Sequence, residues 1–184
     1  MTGTYCGGRS LSLGKIIMNK HTEHSSYREK LIEHLFEGEL LKLSWAIDCQ
    51  LEIGKPEVDN SGYDIIVEDN GVVRHVQLKS SYIGSKTSRQ KVHSKLAEKP
   101  SGCVIWVQFD EDTLDLGPFY FFGGKPGKPL PSIEEAQIAR HTKGDQSGYK
   151  AERPKIRIIN KGAFDRIDSI QELYGVLFGS FGSQ

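Results

Sequence analysis

Two apolar-alternating runs meet at Asp69-Asn70-Gly71, and this junction constrains the fold more than any other feature of the chain. Asn-Gly adopts positive φ readily, so the segment reads as a tight β-hairpin turn. Residues 63–68 form the incoming strand and residues 72–80 the returning one. In the returning strand Val76 and Leu78 point one way, while His75, Gln77 and Lys79 point the other. One aliphatic and one polar face describe a half-buried strand.

The rest of the chain supplies a mixed order of elements. Residues 25–43 follow a helical period through Ile32, Phe36, Leu40 and Leu43, and Ser26 with Glu29 resembles a capping box. Residues 46–58 predict a short strand broken by Gly54 and Pro56. Residues 86–98 read as a basic helix stopped by Pro100. Residues 103–109 are a nearly continuous apolar run, expected as a buried central strand. Residues 118–122 and 156–159 predict two more strands, 132–141 a short helix, 142–153 a loop, and 164–178 a closing helix. The sum is one α/β domain over residues 21–184, preceded by a flexible leader over residues 1–20.

Composition narrows the function. Net charge is zero, but residues 23–70 carry twelve acidic side chains against four basic ones, and residues 140–161 carry seven basic against two acidic. A neutral total therefore leaves room for a basic face that meets a polyanion. Cys6, Cys49 and Cys103 are too dispersed for a zinc ribbon or a disulfide framework, so reduced thiols and a cytoplasmic location are expected. No apolar run approaches the ~20 residues of a membrane span, so no membrane partner is expected. Residues 123–128 lack the pattern of a phosphate-binding loop. Trp106 and the aromatic residues 119–122 read as core, although such rings can also stack on bases.

The hairpin also carries the candidate chemistry. Asp64 begins one strand, and Gln77-Leu78-Lys79 follows after twelve residues on the neighbouring one. Antiparallel pairing can bring these ends together. Phosphodiester hydrolysis needs a hard metal held by oxygen donors and a cation to orient water or offset charge. Asp64, the Gln77 amide oxygen and the Leu78 carbonyl can hold Mg²⁺ (or Mn²⁺), and Lys79 supplies the cation. A helix glutamate can add a second carboxylate. Glu39 is preferred, as a metal ligand too, because it falls within ~20–40° of the apolar stripe. Glu33, near the border of that stripe, is the reserve. His75 could serve as a base or as an ordinary strand residue.

Gly62-Tyr63-Asp64 with Gln77-Leu78-Lys79 resembles the PD-(D/E)xK, restriction-endonuclease-like superfamily, in a bacterial variant where Gln-x-Lys replaces Glu-x-Lys. The resemblance covers residues 25–109. It implies an αβββαβ core with a mixed central sheet, to which this chain adds C-terminal elements. It implies a metal-dependent nuclease acting on DNA or RNA, with Asp64 as metal ligand, Gln77 as the replaced acidic ligand and Lys79 as the catalytic lysine. Nucleases of this fold often act as homodimers. The neutral Gln77 keeps a second expectation open, a catalytically inactive module that binds nucleic acid or protein on the same scaffold.

Overall fold

The computed structural model describes residues 25–58, 60–143 and 146–179. The expected leader, residues 1–20, lies outside the described residues.

The first helix, α1, spans Ser25–Ala46. Ile32, Phe36, Leu40 and Leu43 are its buried stripe, as the period predicts. It ends in a Schellman arrangement. The Asp48 N–H donates to Trp45 O and the Cys49 N–H to Ser44 O, while Asp48 takes φ of 57°. This left-handed position usually falls to glycine.

Among the described residues nine strands follow, in two sheets. They are β1 (Glu52–Gly54), β2 (Ile65–Asp69), β3 (Val72–Tyr82), β4 (Arg89–His93), β5 (Gly102–Phe109), β6 (Leu116–Gly123), β7 (Ile138–Arg140), β8 (Glu152–Asn160) and β9 (Asp165–Ile167), before helix α2 (Ile170–Phe178). The larger sheet has the order β1-β2-β3-β5-β6-β9, and the smaller one β4-β8-β7. Among the described strands of this sheet only β3 and β5 pair in parallel, so the central sheet is mixed, as expected. The β2–β3 turn has Asn70 and Gly71 at φ of 49° and 76°, the double positive φ that a type I′ hairpin requires.

All eight residues of β5 are buried, because both faces of the sheet are covered. Cys103, Ile105, Val107 and Phe109 face a core shared with α1 and α2. Val104 and Trp106 face a second core built with Val92, Leu96 and Ile159 from the smaller sheet and its flanks. The molecule is thus a mixed α/β arrangement of three layers: helices, six-stranded sheet, three-stranded sheet.

The basic helix expected over residues 86–98 is not formed. Its place in the parallel crossover is taken by β4 and a 3₁₀ turn, Ser94–Glu98. Val92 and Leu96 are spaced like a helical pair, but Val92 alternates with exposed Arg89 and Lys91 as a strand residue. The pairing that decides the matter comes from β8, more than sixty residues away. Gly102 lets the 3₁₀ turn approach the sheet, since a Cβ there would stand 2.3 Å from Leu96 O.

Three other expectations change for similar reasons. Within residues 132–141 a turn and the strand β7 replace the helix, with β8 again the partner. The segment 46–58 yields only the three residues of β1, because α1 runs on to Ala46. The closing helix shortens to nine residues. Residues 165–167 pair with β6 instead, and the Ser169 Oγ caps the helix by accepting from the Glu172 N–H at 3.1 Å.

Arg74 is wholly buried without a carboxylate among the partners of its guanidinium. The guanidinium donates to Leu177 O at 2.8 Å, to Val176 O and Gly124 O at 3.1 Å, and to Ser101 Oγ at 3.4 Å. The carbonyls at the end of α2 lack helical partners, so Arg74 satisfies them and ties that end to the sheet.

Candidate active-site cleft

Where β2 begins, Asp64 is fixed by the backbone of β3. Its N–H donates to Val76 O at 2.8 Å, and its Oδ2 accepts from the Leu78 N–H at 2.6 Å. The hairpin therefore joins the two ends of the sequence constellation through hydrogen bonds. Asp64, Leu78, Lys79 and Ser80 line one wall of a cleft of about 490 Å³. Helix α1 supplies the opposite wall through Glu29, Lys30 and Glu33, over an apolar floor that includes Phe36. Gln90 of β4 lines the rim.

Glu33 is the buried carboxylate of this cleft, with a side chain only 10% exposed. Lys30 lies 2.9 Å from one oxygen and Lys55 lies 2.8 Å from the other. Lys55 also reaches Glu37 at 2.9 Å. Burial alone would raise the Glu33 pKa, but hydrogen bonds from Lys55 and Lys30 outweigh it and hold the carboxyl below its ordinary value. For Lys55, burial works against the charge, and the bonds to Glu33 and Glu37 more than restore it, so its pKa is raised. Both groups are charged near neutral pH.

Glu39, preferred from the sequence, does not reach the cleft. Its side chain is 44% exposed, with Lys42 at 3.6 Å, and it borders a separate hollow beside Leu35 and Leu116. At ~100° per residue, Glu33 and Glu39 lie about 60° from Phe36 on opposite flanks. The buried direction of Glu39 was therefore no better founded than that of Glu33. How α1 sits on the sheet separates them.

Gln77 is 8% exposed and does not line the cleft. Its Oε1 accepts from the His93 N–H at 3.1 Å, which ties β3 to β4. His75 also stands outside the cleft, edge-on to Tyr63 with ring centroids 5.0 Å apart. Burial, aided by the charge of Lys99, lowers its pKa. Lys79 has no carboxylate partner among the described residues. Gln90 follows the basic residues that the sequence places near the site, whereas Lys55 carries no such signal. Lys30 had a local signal, since it sits one turn before Glu33, but Lys55 comes from a loop with no periodic relation to α1.

The oxygen donors of Asp64 and Glu33, with the Leu78 backbone, have the hard chemistry that Mg²⁺ or Mn²⁺ takes. Gln77 does not fit that role here, because its oxygen is engaged by β4. Among the described residues no three His, Cys, Asp or Glu side chains converge on one point that could hold a metal ion. The donor set is therefore two carboxylates, one of them already matched by two ammonium groups.

No helix among the described residues is long and apolar enough to cross a membrane. No family model matches the chain, and no curated protein matches it. Among solved structures, a bacterial homing endonuclease is similar over 66% of this chain and 82% of its own, at 21% identity and a TM-score of 0.32. A TM-score that low carries no inference about this chain's fold or activity.

Proposed function

We propose that the chain is a divalent-metal-dependent nuclease of the PD-(D/E)xK kind, hydrolysing phosphodiester bonds of DNA. One observation carries the reading: Asp64, Glu33 and Lys79 line a single cleft, with Asp64 held in place by the Leu78 N–H. Asp64, Glu33 and the Leu78 carbonyl would hold Mg²⁺ or Mn²⁺. When bound, the ion polarises the phosphate and lowers the pKa of a water. Lys79 orients that water and offsets the charge that builds on the phosphate oxygens. Lys30, whose side chain is 69% exposed, offers a cation to the incoming backbone. Lys55 keeps Glu33 ionised and turned into the cleft. Gln77 contributes by fixing β3 against β4 rather than by ligation.

The test is cleavage of plasmid, linear duplex, single-stranded DNA and RNA in Mg²⁺ and in Mn²⁺. Asp64→Asn is the control, since its amide oxygen can still accept from Leu78 while the charge is lost. Wild type should cut in a metal-dependent way, and Asp64→Asn should be about 100-fold slower or worse, as when one transition-state contact is removed. Equal cutting by both would discard this site.

A second reading, a binding module without catalysis, is favoured by the pairing of Glu33 with two lysines and by the engaged Gln77. It expects salt-sensitive binding and no product in either metal.

A further inference from the structure

The smaller sheet has one face packed on the second core and one turned away from it. In its antiparallel register Arg89 opposes Asn160, Lys91 opposes Ile158 and His93 opposes Ile156. Residues directly opposite share a face. Val92 and Ile159 are buried on the inner side, while Arg89 and Lys91 are exposed on the outer one. From β8 the outer face receives Asn160 at its edge, with half-buried Ile158 and Ile156 beside the cations of β4. Among the described residues, no carboxylate pairs with Lys86, Arg89 or Lys91. The acidic Glu152 is matched by Arg140 at 3.3 Å.

This basic surface is continuous with the carboxylate cleft. Gln90 lines the cleft and also a neighbouring hollow formed by residues 86–91 and Ile158. Ser80 lines the cleft and a third hollow that contains Arg28 and again Lys86. A path of cations thus runs from the rim of the cleft along β4.

We propose that residues 86–91, with the outward face of β4, form a track that grips the phosphate backbone of duplex DNA and leads it to the cleft. Charge complementarity names the occupant. Alternate residues of a strand stand ~7 Å apart, which presents cations in a row. Single-strand binders rely on aromatic rings that stack on bases. Strands β4, β7 and β8 contain no Phe, Tyr or Trp, so this face suits a backbone whose bases stay paired. The track rests on the nuclease reading for the role of the cleft, but its binding is measurable without cleavage.

The experiment measures binding of a short fluorescent duplex in EDTA across a salt series. Wild type is compared with the triple variant Lys86→Gln, Arg89→Gln, Lys91→Gln. A control triple of equal charge change, Lys42→Gln, Lys125→Gln, Lys128→Gln, neutralises exposed lysines elsewhere. Circular dichroism and thermal melting confirm that the variants are folded. Three lost phosphate contacts flatten the salt slope by about 0.9 each, so between roughly 50 and 200 mM salt wild type should lose about 40-fold more affinity than the track variant. The control should behave as wild type.

An unchanged slope in the track variant, an equal loss in the control, or no binding by wild type at low salt overturns the track. Competition by single strand as strong as by duplex overturns the choice of occupant. Cleavage that depends on Asp64 together with an unchanged slope sinks the track and leaves the nuclease reading standing. Track-dependent binding without cleavage does the reverse.

Discussion

Glu33 sits between two cations, with Lys30 at 2.9 Å and Lys55 at 2.8 Å from its carboxylate oxygens. The spacing from Asp64 to Lys79 placed two cleft-lining residues on the hairpin, because period and turn chemistry are local, while Gln77 between them turns to β4. The helix glutamate was not legible, since Glu33 and Glu39 flank the same stripe and only tertiary packing distinguishes them. Lys55 was invisible for the same reason. The ion pair has a defined pH signature. Glu33 has a folded-state pKa below its ordinary value of about 4.5, so its contribution is complete above that value and is lost as pH falls through the folded pKa. Lys55 has a raised pKa, so its contribution is present below its ordinary value of 10.5 and is lost only on alkaline titration past the folded pKa. The stability difference between wild type and Glu33→Gln, measured by urea unfolding, should therefore shrink as pH is lowered from neutrality to below 4.5. A difference that grows on acidification would contradict the pairing. Arg74 makes a second prediction at this scale. Arg74→Met leaves the buried carbonyls at the end of α2 without their donor and should destabilise by ~3 kcal/mol. Urea unfolding checks it, and a change below ~1 kcal/mol would mean that those carbonyls find other partners.

At the scale of elements, the helix α1, the hairpin and the buried strand β5 were legible because each carries its own period. The segment 86–98 was not. It has a helical pair in Val92 and Leu96, and its strand character depends on pairing with distant β8. The short β7 failed in the same way. Two turns give tests of local chemistry. Gly71 sits at φ of 76° in the hairpin turn, so Gly71→Ala should cost about 1–2 kcal/mol of unfolding free energy. Asp48 sits at φ of 57° at the end of α1, so Asp48→Gly should raise stability by about 0.5 kcal/mol, read as a higher urea midpoint. Destabilisation by Asp48→Gly would show that its side chain has a role beyond the turn.

Across the whole molecule, a neutral total hides a division of charge. The carboxylates of α1 and the hairpin line the cleft, and Lys86 with the cations of β4 lie beside it on the other side of Gln90. The sequence disclosed both charge blocks, but not that a second sheet would carry the basic one. The layer order explains why: the six-stranded sheet is covered by helices on one side and by the smaller sheet on the other, and the cleft opens where these coverings meet its polar strand ends. The central claim is that Asp64 and Glu33, rather than Glu39, form the divalent site. Calorimetric titration of Mn²⁺ into wild type, Asp64→Asn, Glu33→Gln and Glu39→Gln tests it most directly. One site should appear in wild type and in Glu39→Gln, and it should weaken by roughly 10-fold or more in the other two variants. Equal Mn²⁺ binding in Asp64→Asn, or loss of the site in Glu39→Gln alone, would contradict the claim.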